Sequence, residues 1–520
     1  MKFIVVKKIV PILLLAFLVL GIFYLYQASP DFLSGDDAAI HLMKVKFNYL
    51  NEGIDYIIPI APFNDQKAYT GLILTEAPLH MIVSSLMFFL PEVEVMTLMK
   101  ACLFFFAVLF AFGMYLYVQE LAKQESLAIM STFLAVFSYW LAIVYFEGTF
   151  AQLLGLVFLP AFLLLAKKFF EKWQGKYYLG LVLLTLLVFL VHPLTFMLLL
   201  TSLIVVTLFY AFQKRKKYIL ILFLALLSAT VIAMILFPQL PWPKFFSENQ
   251  LETTSSTMTD FLPKFFPTEV PFAMVMFVFG VGIWAALKKK YWSFLLLSLI
   301  TFLFTQTASL GLPFFPHRFN PYFMILATVG LMIGIYYLLE RITWPILRVA
   351  ALATVFLIMT VSGFKSFDFV KTTYSAYYEG LSPPIITKED FDVFVWMRDN
   401  VDKNEVIVAG NKWGLFIPSL GDHRVLIADA FDLADRKESE LNSESDQLSR
   451  KAHFVLRLES SSQRKEYMEA MNLKYIFWPS EMNKFIQSYT PYENYSDNFS
   501  QSDFEVVFQS GEAKLLKVKQ

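Results

Sequence analysis

The chain has 520 residues, of which 57% are hydrophobic, 17% aromatic and 17% charged, with 43 Lys and Arg against 43 Asp and Glu. Soluble domains are about 45–50% apolar and about 25% charged, so this composition excludes a soluble enzyme, a disordered chain and a basic nucleic-acid binder. The single cysteine, Cys102, excludes an intrachain disulfide and sits in an apolar run as a small core residue.

Lys2, Lys7 and Lys8 precede an apolar run that continues to about Tyr26. The run is long, and Tyr26-Gln27-Ala28 lacks the small residue that opens an A-x-A-like cleavage site, so an uncleaved first span is expected. A first long loop, 28–96, follows and contains the short apolar stretch Pro78–Leu90, suited to an interfacial or re-entrant helix. Further runs near 97–119, 126–146, 150–166, 177–192, 194–212, 218–237, 271–287, 292–310, 321–339 and 345–362 bring the expected number of spans to about eleven. With the N-terminus inside, Lys and Arg cluster in alternate loops, 17 on the inner side against 6 outside before residue 363. The zero net charge conceals this separation: residues 1–362 carry +6 and residues 363–520 carry −6.

From 363 the spans cease and charged residues become dense. Thr387 reads as the N-cap of a helix over Lys388–Asn400, with Glu389 and Asp390 in its first turn. Glu405–Ala409, Lys474–Trp478, Phe504–Phe508 and Ala513–Val518 read as short strands. The expected architecture is an α-helical polytopic membrane protein over 1–362, with a second long exterior loop at 238–270, and an exterior soluble α/β domain over 363–520. An outward-facing domain without cysteine fits a prokaryotic plasma membrane better than a eukaryotic secretory route.

Candidate chemistry lies at the outer ends of the spans. In the first loop, Ser34 with Asp37 has capping-box spacing for a helix from about Gly35 to Tyr49. On that helix Asp37, His41, Lys44 and Asn48 share one stripe, and Ile40, Met43, Phe47 and Leu50 another. Asp36 and Asp37 serve either as helix-dipole caps or as a general base or metal ligand beside His41, and one carboxylate can do both. Glu147 stands alone in a short outer turn, either facing water or as a functional carboxylate at an apolar edge. His192-Pro193 marks another outer turn, where the histidine is either hydrogen-bonded locally or turned to a ligand. In Pro316-His317-Arg318-Phe319, Arg318 is the one basic residue between Lys290 and Arg341; it either snorkels or binds an anion. There is no P-loop, no G-x-G-x-x-G and no H-E-x-x-H, and charged residues deep within spans are scarce, which argues against an ion pathway.

This arrangement resembles the GT-C-type membrane glycosyltransferases, the superfamily of oligosaccharyltransferase catalytic subunits and protein O-mannosyltransferases. The resemblance rests on Gly35-Asp36-Asp37 with His41 after the first span, on Glu76-Ala77-Pro78-Leu79-His80, on Glu147-Gly148-Thr149-Phe150, on Arg318-Phe319, and on Phe394–Arg424 at the start of the exterior domain. The chain departs in lacking Trp-Trp-Asp-Tyr-Gly and in carrying a single Glu147 where a paired acidic motif is usual. The resemblance implies transfer of a sugar from a polyprenyl-phosphate donor, in the outer leaflet, to a polysaccharide, glycolipid or protein acceptor, with inversion. It gives Asp36, Asp37 and Glu147 catalytic roles. Arg318, His317, Lys44, His41 and His192 would bind substrate or phosphate, and Asp36 with Glu147 could hold Mg or Mn. A non-catalytic protein of envelope polysaccharide assembly and a lipid-linked sugar transporter are the competing expectations.

Overall fold

A computed structural model describes residues 77–138, 149–172, 174–212, 272–306, 316–344, 346–355, 386–410, 416–428, 460–480 and 497–519, with scattered positions at 19–21, 38–49, 141–145, 357–365, 414, 452–457 and 482. The helices of its apolar part are α1 (Ala77–Phe89), α2 (Val95–Ala122), α3 (Glu125–Val136), α4 (Phe150–Lys172), α5 (Gly175–Val191), α6 (Pro193–Phe212), α7 (Phe272–Lys288), α8 (Trp292–Thr305) and α9 (Pro316–Leu339). A further short apolar helix covers Ile346–Val355. Three described helices, Val95–Ala122, Phe150–Lys172 and Arg318–Leu339, are long and apolar enough to cross a membrane. The runs expected at the first span and at 218–237 lie outside the described residues, apart from 19–21.

One expected span is interrupted. The run 126–146 forms helix to Val136, breaks at 137–138 and is helical again at positions 141, 144 and 145; at the break Ser138 accepts the Leu141 amide, while its hydroxyl donates to the Ala135 carbonyl. Serine offers the backbone an alternative to the helical ladder, and here it ends one helix and caps the turn that follows. Helix α9 starts at Pro316, earlier than the apolar run at 321, because Pro316 supplies a preset φ at the helix start.

Helices α7 and α9 meet backbone to backbone. A Cβ on Gly282 would overlap the Gly330 carbonyl, and one on Gly334 would overlap the Val278 carbonyl. Small residues permit this approach, and in lipid such packing replaces the hydrophobic drive between helices. Polar side chains within the bundle turn back on their own helices: Thr132, Thr185, Ser202, Thr207, Thr301 and Thr328 each donate to a carbonyl four residues earlier. At one end of the bundle, ion pairs join the helix termini. Lys167 of α4 reaches Glu171 at 2.6 Å and Glu120 of α2 at 3.6 Å. Glu340, after α9, accepts from Gln124 at 2.9 Å and lies 3.9 Å from Lys289.

The C-terminal region is α/β. Helix α10 (Lys388–Asn400) opens on a full capping box between Thr387 and Asp390. The strands are β1 (Val406–Gly410), β2 (Arg424–Ala428), β3 (Tyr475–Trp478), β4 (Phe504–Ser510) and β5 (Ala513–Val518), with helix α11 (Ser461–Ala470) before β3. They form one sheet in the order β2-β1-β3-β5-β4, in which β1 is parallel to both β2 and β3, and β5 is antiparallel to β3 and β4. Every residue of β1 is buried, as a central parallel strand requires. Trp396 of α10 stacks on Phe508 of β4, with centroids 5.2 Å apart. Asp390 accepts from the Ser480 amide at 2.8 Å and the Thr387 amide at 3.0 Å, and burial pushes its carboxyl above the usual range against the pull of those bonds.

Equilibrium unfolding in detergent micelles checks the α7–α9 contact. Gly282→Ala should cost about 1–3 kcal/mol, because a backbone oxygen occupies the place of the new methyl. Gly280→Ala, one turn face away with open space around it, should instead be neutral or gain up to about 1 kcal/mol of helix propensity.

Candidate functional site

The end of the bundle opposite the ion-paired termini gathers the starts of α4, α6 and α9, the end of α5, helix α1 and the helical positions 38–49. Within the last segment, positions 38, 41, 42, 44–46 and 49 are helical. Its buried flank is Ala38, Leu42 and Val45, together with His41 and Lys44, which are 4% and 5% exposed. His41 and Lys44, the described members of the polar stripe expected on this helix, therefore pack into the protein. His41 Nδ1 lies 2.8 Å from Nε2 of His80 on α1, and the His41 ring rests on Phe150, the first residue of α4, at 5.6 Å. An N···N hydrogen bond holds one proton, so the two imidazoles remain bonded only while at least one nitrogen of the pair is an acceptor.

Helix α4 begins where Thr149 folds back, its amide and hydroxyl both donating to the Val144 carbonyl at 3.1 Å. One turn into the helix, the buried Gln152 donates to the Arg318 carbonyl at 2.7 Å, which ties the start of α4 to the start of α9. Gly155, less than a turn further on, leaves room for Thr195; a side chain there would overlap the Thr195 hydroxyl. Thr195 lies 2.9 Å from His192 Nδ1 through its hydroxyl, and the same hydroxyl bonds Tyr322 of α9. His192 ends α5 and precedes Pro193, the first residue of α6, and its Nδ1 accepts the Thr195 amide at 3.3 Å. It is therefore an N-cap with proline at the first helical position.

Of the residues expected at the site, His192 is bonded through Thr195 to Tyr322 on α9, Arg318 is held one turn earlier on that helix by Gln152, and His41 and Lys44 lie buried beside α1 and α4. Asp36, Asp37 and Glu147 lie outside the described residues, as does the side chain of His317. Among the described residues, no group of three or more His, Cys, Asp or Glu is placed to hold a metal ion. The network members Gln152, Thr195 and Tyr322, and His80 as the partner of His41, are additions to the expected set. His192-Pro193 followed by Thr195 is the one sequence signal that could have announced part of it, as a cap. Asn320, 1% exposed, adds a buried Oδ1 with no hydrogen-bond partner. Such an atom costs about 1–3 kcal/mol when left unpaired.

The C-terminal region reaches this same end of the bundle through two ion pairs of opposite sense. Lys46 pairs with Asp422, and Arg398 donates to Glu94 at 2.9 Å. Asp422 takes a left-handed conformation at the end of the turn Ile417–Gly421, which carries its carboxylate toward the helix that holds His41.

The model of a family of unknown function, DUF6541, matches residues 77–520, and the chain belongs to that family. No curated protein matches the chain in sequence. Among solved structures, the fold is similar to that of ArnT from Cupriavidus metallidurans bound to undecaprenyl phosphate, with 8% identity, a TM-score of 0.57 and 97% of each chain covered. It is also similar to the Archaeoglobus fulgidus oligosaccharyltransferase tethered to an acceptor peptide, with 15% identity and a TM-score of 0.56 over 92% of this chain and 70% of that one. The mycobacterial arabinofuranosyltransferase AftD gives 13% identity and a TM-score of 0.52, covering 97% of this chain and 41% of its own. These likenesses establish the GT-C fold for the chain.

A charge-reversal cycle checks the contact between the two regions. Lys46→Glu and Asp422→Lys should each lower stability in micelles, and the double variant should recover most of the loss, with a coupling of about 0.5–3 kcal/mol.

Proposed function

We propose that this member of DUF6541 is a membrane glycosyltransferase that moves a sugar from a polyprenyl-phosphate donor to an acceptor hydroxyl at the outer face of the membrane. The observation that carries the reading is the GT-C fold with His41, Lys44, His192 and Arg318 gathered at one end of the bundle. The neighbours' own ligands, undecaprenyl phosphate in ArnT and an acceptor peptide in the oligosaccharyltransferase, support a lipid-linked donor and a separate acceptor. The topology that supports it is N-terminus inside, with the acidic loops outside and the region from 363 exterior.

In this mechanism Asp36 or Asp37 takes the proton of the acceptor hydroxyl as its oxygen attacks C1 of the sugar. The C1–O bond to phosphate breaks with its electron pair, the polyprenyl phosphate departs, and C1 is inverted. General-base help of this kind contributes about 10²–10⁴-fold. Arg318, with Lys44, His41, His192 and His317, meets the charge that grows on the leaving phosphate, where a fixed donor acts more strongly than water does. A divalent cation held by Asp36 and Glu147 would supply further electrostatic stabilisation of that charge. The C-terminal region would hold the acceptor or cover the cavity.

The test is sugar transfer from polyprenyl-phosphate sugars by purified protein, alongside binding of the lipid phosphate itself. Asp36→Asn or Asp37→Asn should lower turnover by about 10²–10⁴-fold with lipid binding retained. Arg318→Ala should weaken both lipid binding and turnover. A wild-type protein that bound no lipid-phosphate sugar, together with an Arg318→Ala variant indistinguishable from it, would overturn the reading in favour of a non-catalytic envelope protein.

A further inference from the structure

The buried network between α4, α5, α6 and α9 has a direction, which follows from one backbone amide. The Thr195 N–H points to His192 Nδ1 at 3.3 Å, and an N–H has a single role, that of donor. His192 Nδ1 therefore carries no proton, and the ring is the neutral tautomer protonated at Nε2. The Thr195 hydroxyl, 2.9 Å from the same Nδ1, must then donate to it. Its hydrogen is thereby committed, so its bond to Tyr322 is one in which the tyrosine donates. Tyr322 stands one turn beyond Arg318 on α9, and the buried Gln152 amide donates to the Arg318 carbonyl at 2.7 Å, so this turn of α9 is held at both positions. Every orientation in the chain follows from the first. The position of His192 as N-cap supports it, because the positive end of the α6 dipole disfavours an imidazolium there.

We propose that Gln152, Tyr322 and Thr195 are positioning residues. They hold His192 in its Nε2–H form and hold Arg318 at a set height on α9, so that the two act as one unit toward the substrate. The site then meets a phosphate with one charged donor, Arg318, and one neutral donor, His192. The network has its members 0–9% exposed, Arg318 apart, and Gly155 is the opening through which Thr195 reaches it. This assignment rests on the phosphate roles given to Arg318 and His192 in the proposed function, and the two can fail separately.

Two measurements on the full chain in micelles test it. In protein labelled with ¹⁵N-histidine, the His192 signals are identified by their loss in His192→Gln. Nδ1 should show the shift of an unprotonated ring nitrogen and Nε2 that of a protonated one. Thr195→Val should mix the tautomers, while Thr195→Ser, which keeps the hydroxyl, should preserve the wild-type pattern. A proton on Nδ1 in the wild type overturns the assignment, whatever the protein binds. The second measurement is binding of undecaprenyl phosphate in mixed micelles. Gln152→Leu and Tyr322→Phe should each weaken it about tenfold, and the double variant should be little weaker than either, since both release the same turn of α9. Unchanged affinity in both variants, with a wild type that binds, overturns the positioning role. A wild type that does not bind overturns the phosphate reading, and the tautomer result still decides the network.

Discussion

At Gly155 the missing side chain lets a hydroxyl from α6 press against α4, and the functional end of the bundle is organised around that approach. Thr195 could not otherwise stand between His192 and Tyr322, and Gln152, three residues before Gly155, ties the same helix to the start of α9. Four helix ends, contributed by segments separated by as many as 166 residues, are thereby held in one arrangement. In hydrocarbon an unpaired polar group costs several kcal/mol, so a partly broken network here has nowhere to turn for water. That penalty favours the network forming whole, and it explains why uncharged groups can fix the position of a charged one.

The two ends of the bundle use polar groups differently. At the ion-paired end, Lys167, Glu120, Glu171, Lys289 and Glu340 are arranged as neighbouring opposite charges, with several of them partly exposed. Exposed pairs of this kind contribute little individually, and their work is to join helix termini. At the other end, buried His41, Lys44, His80 and His192 sit among apolar residues, with carboxylates among the described residues confined to the rim, at Glu94 and Asp422.

Much of the fold was legible in the sequence, and the reasons are physical. Helices α2, α4, α5, α6, α7 and α8 coincide in position with apolar runs, since a bilayer demands such runs whatever the packing. The strands β1, β3, β4 and β5 and the capped helix α10 follow from alternation and from Thr387 with its acidic first turn. Strand β2 was not legible: after Arg424 it is a short apolar run, Val425–Ala428, which a buried parallel strand shares with many other segments. The break after Val136 was hidden because Ser138 is a single hydroxyl in an apolar run. At the site, the ends of the apolar runs marked His192 and Arg318, but they could not mark Gln152, Thr195 or Tyr322. Those residues matter through contacts 3 to 166 positions away in the chain, and a neutral polar residue in an apolar run carries no sign of its partner.

The ion pairs to the C-terminal region give this site a second constraint. Lys46 lies on the same helical segment as His41, five residues on, so the contact with Asp422 bears on the element that places the His41–His80 pair. Glu94, immediately before α2, holds Arg398 at the end of α10. The pairs have opposite polarity, so sliding or turning the C-terminal region would set like charges together, and only one docking satisfies both. Each carboxylate and each cation is partly shielded from water, with side chains between 14% and 41% exposed, which leaves these contacts responsive to ionic strength. The C-terminal region is thus held at this end of the bundle by contacts strong enough to orient it, yet weak enough to release it.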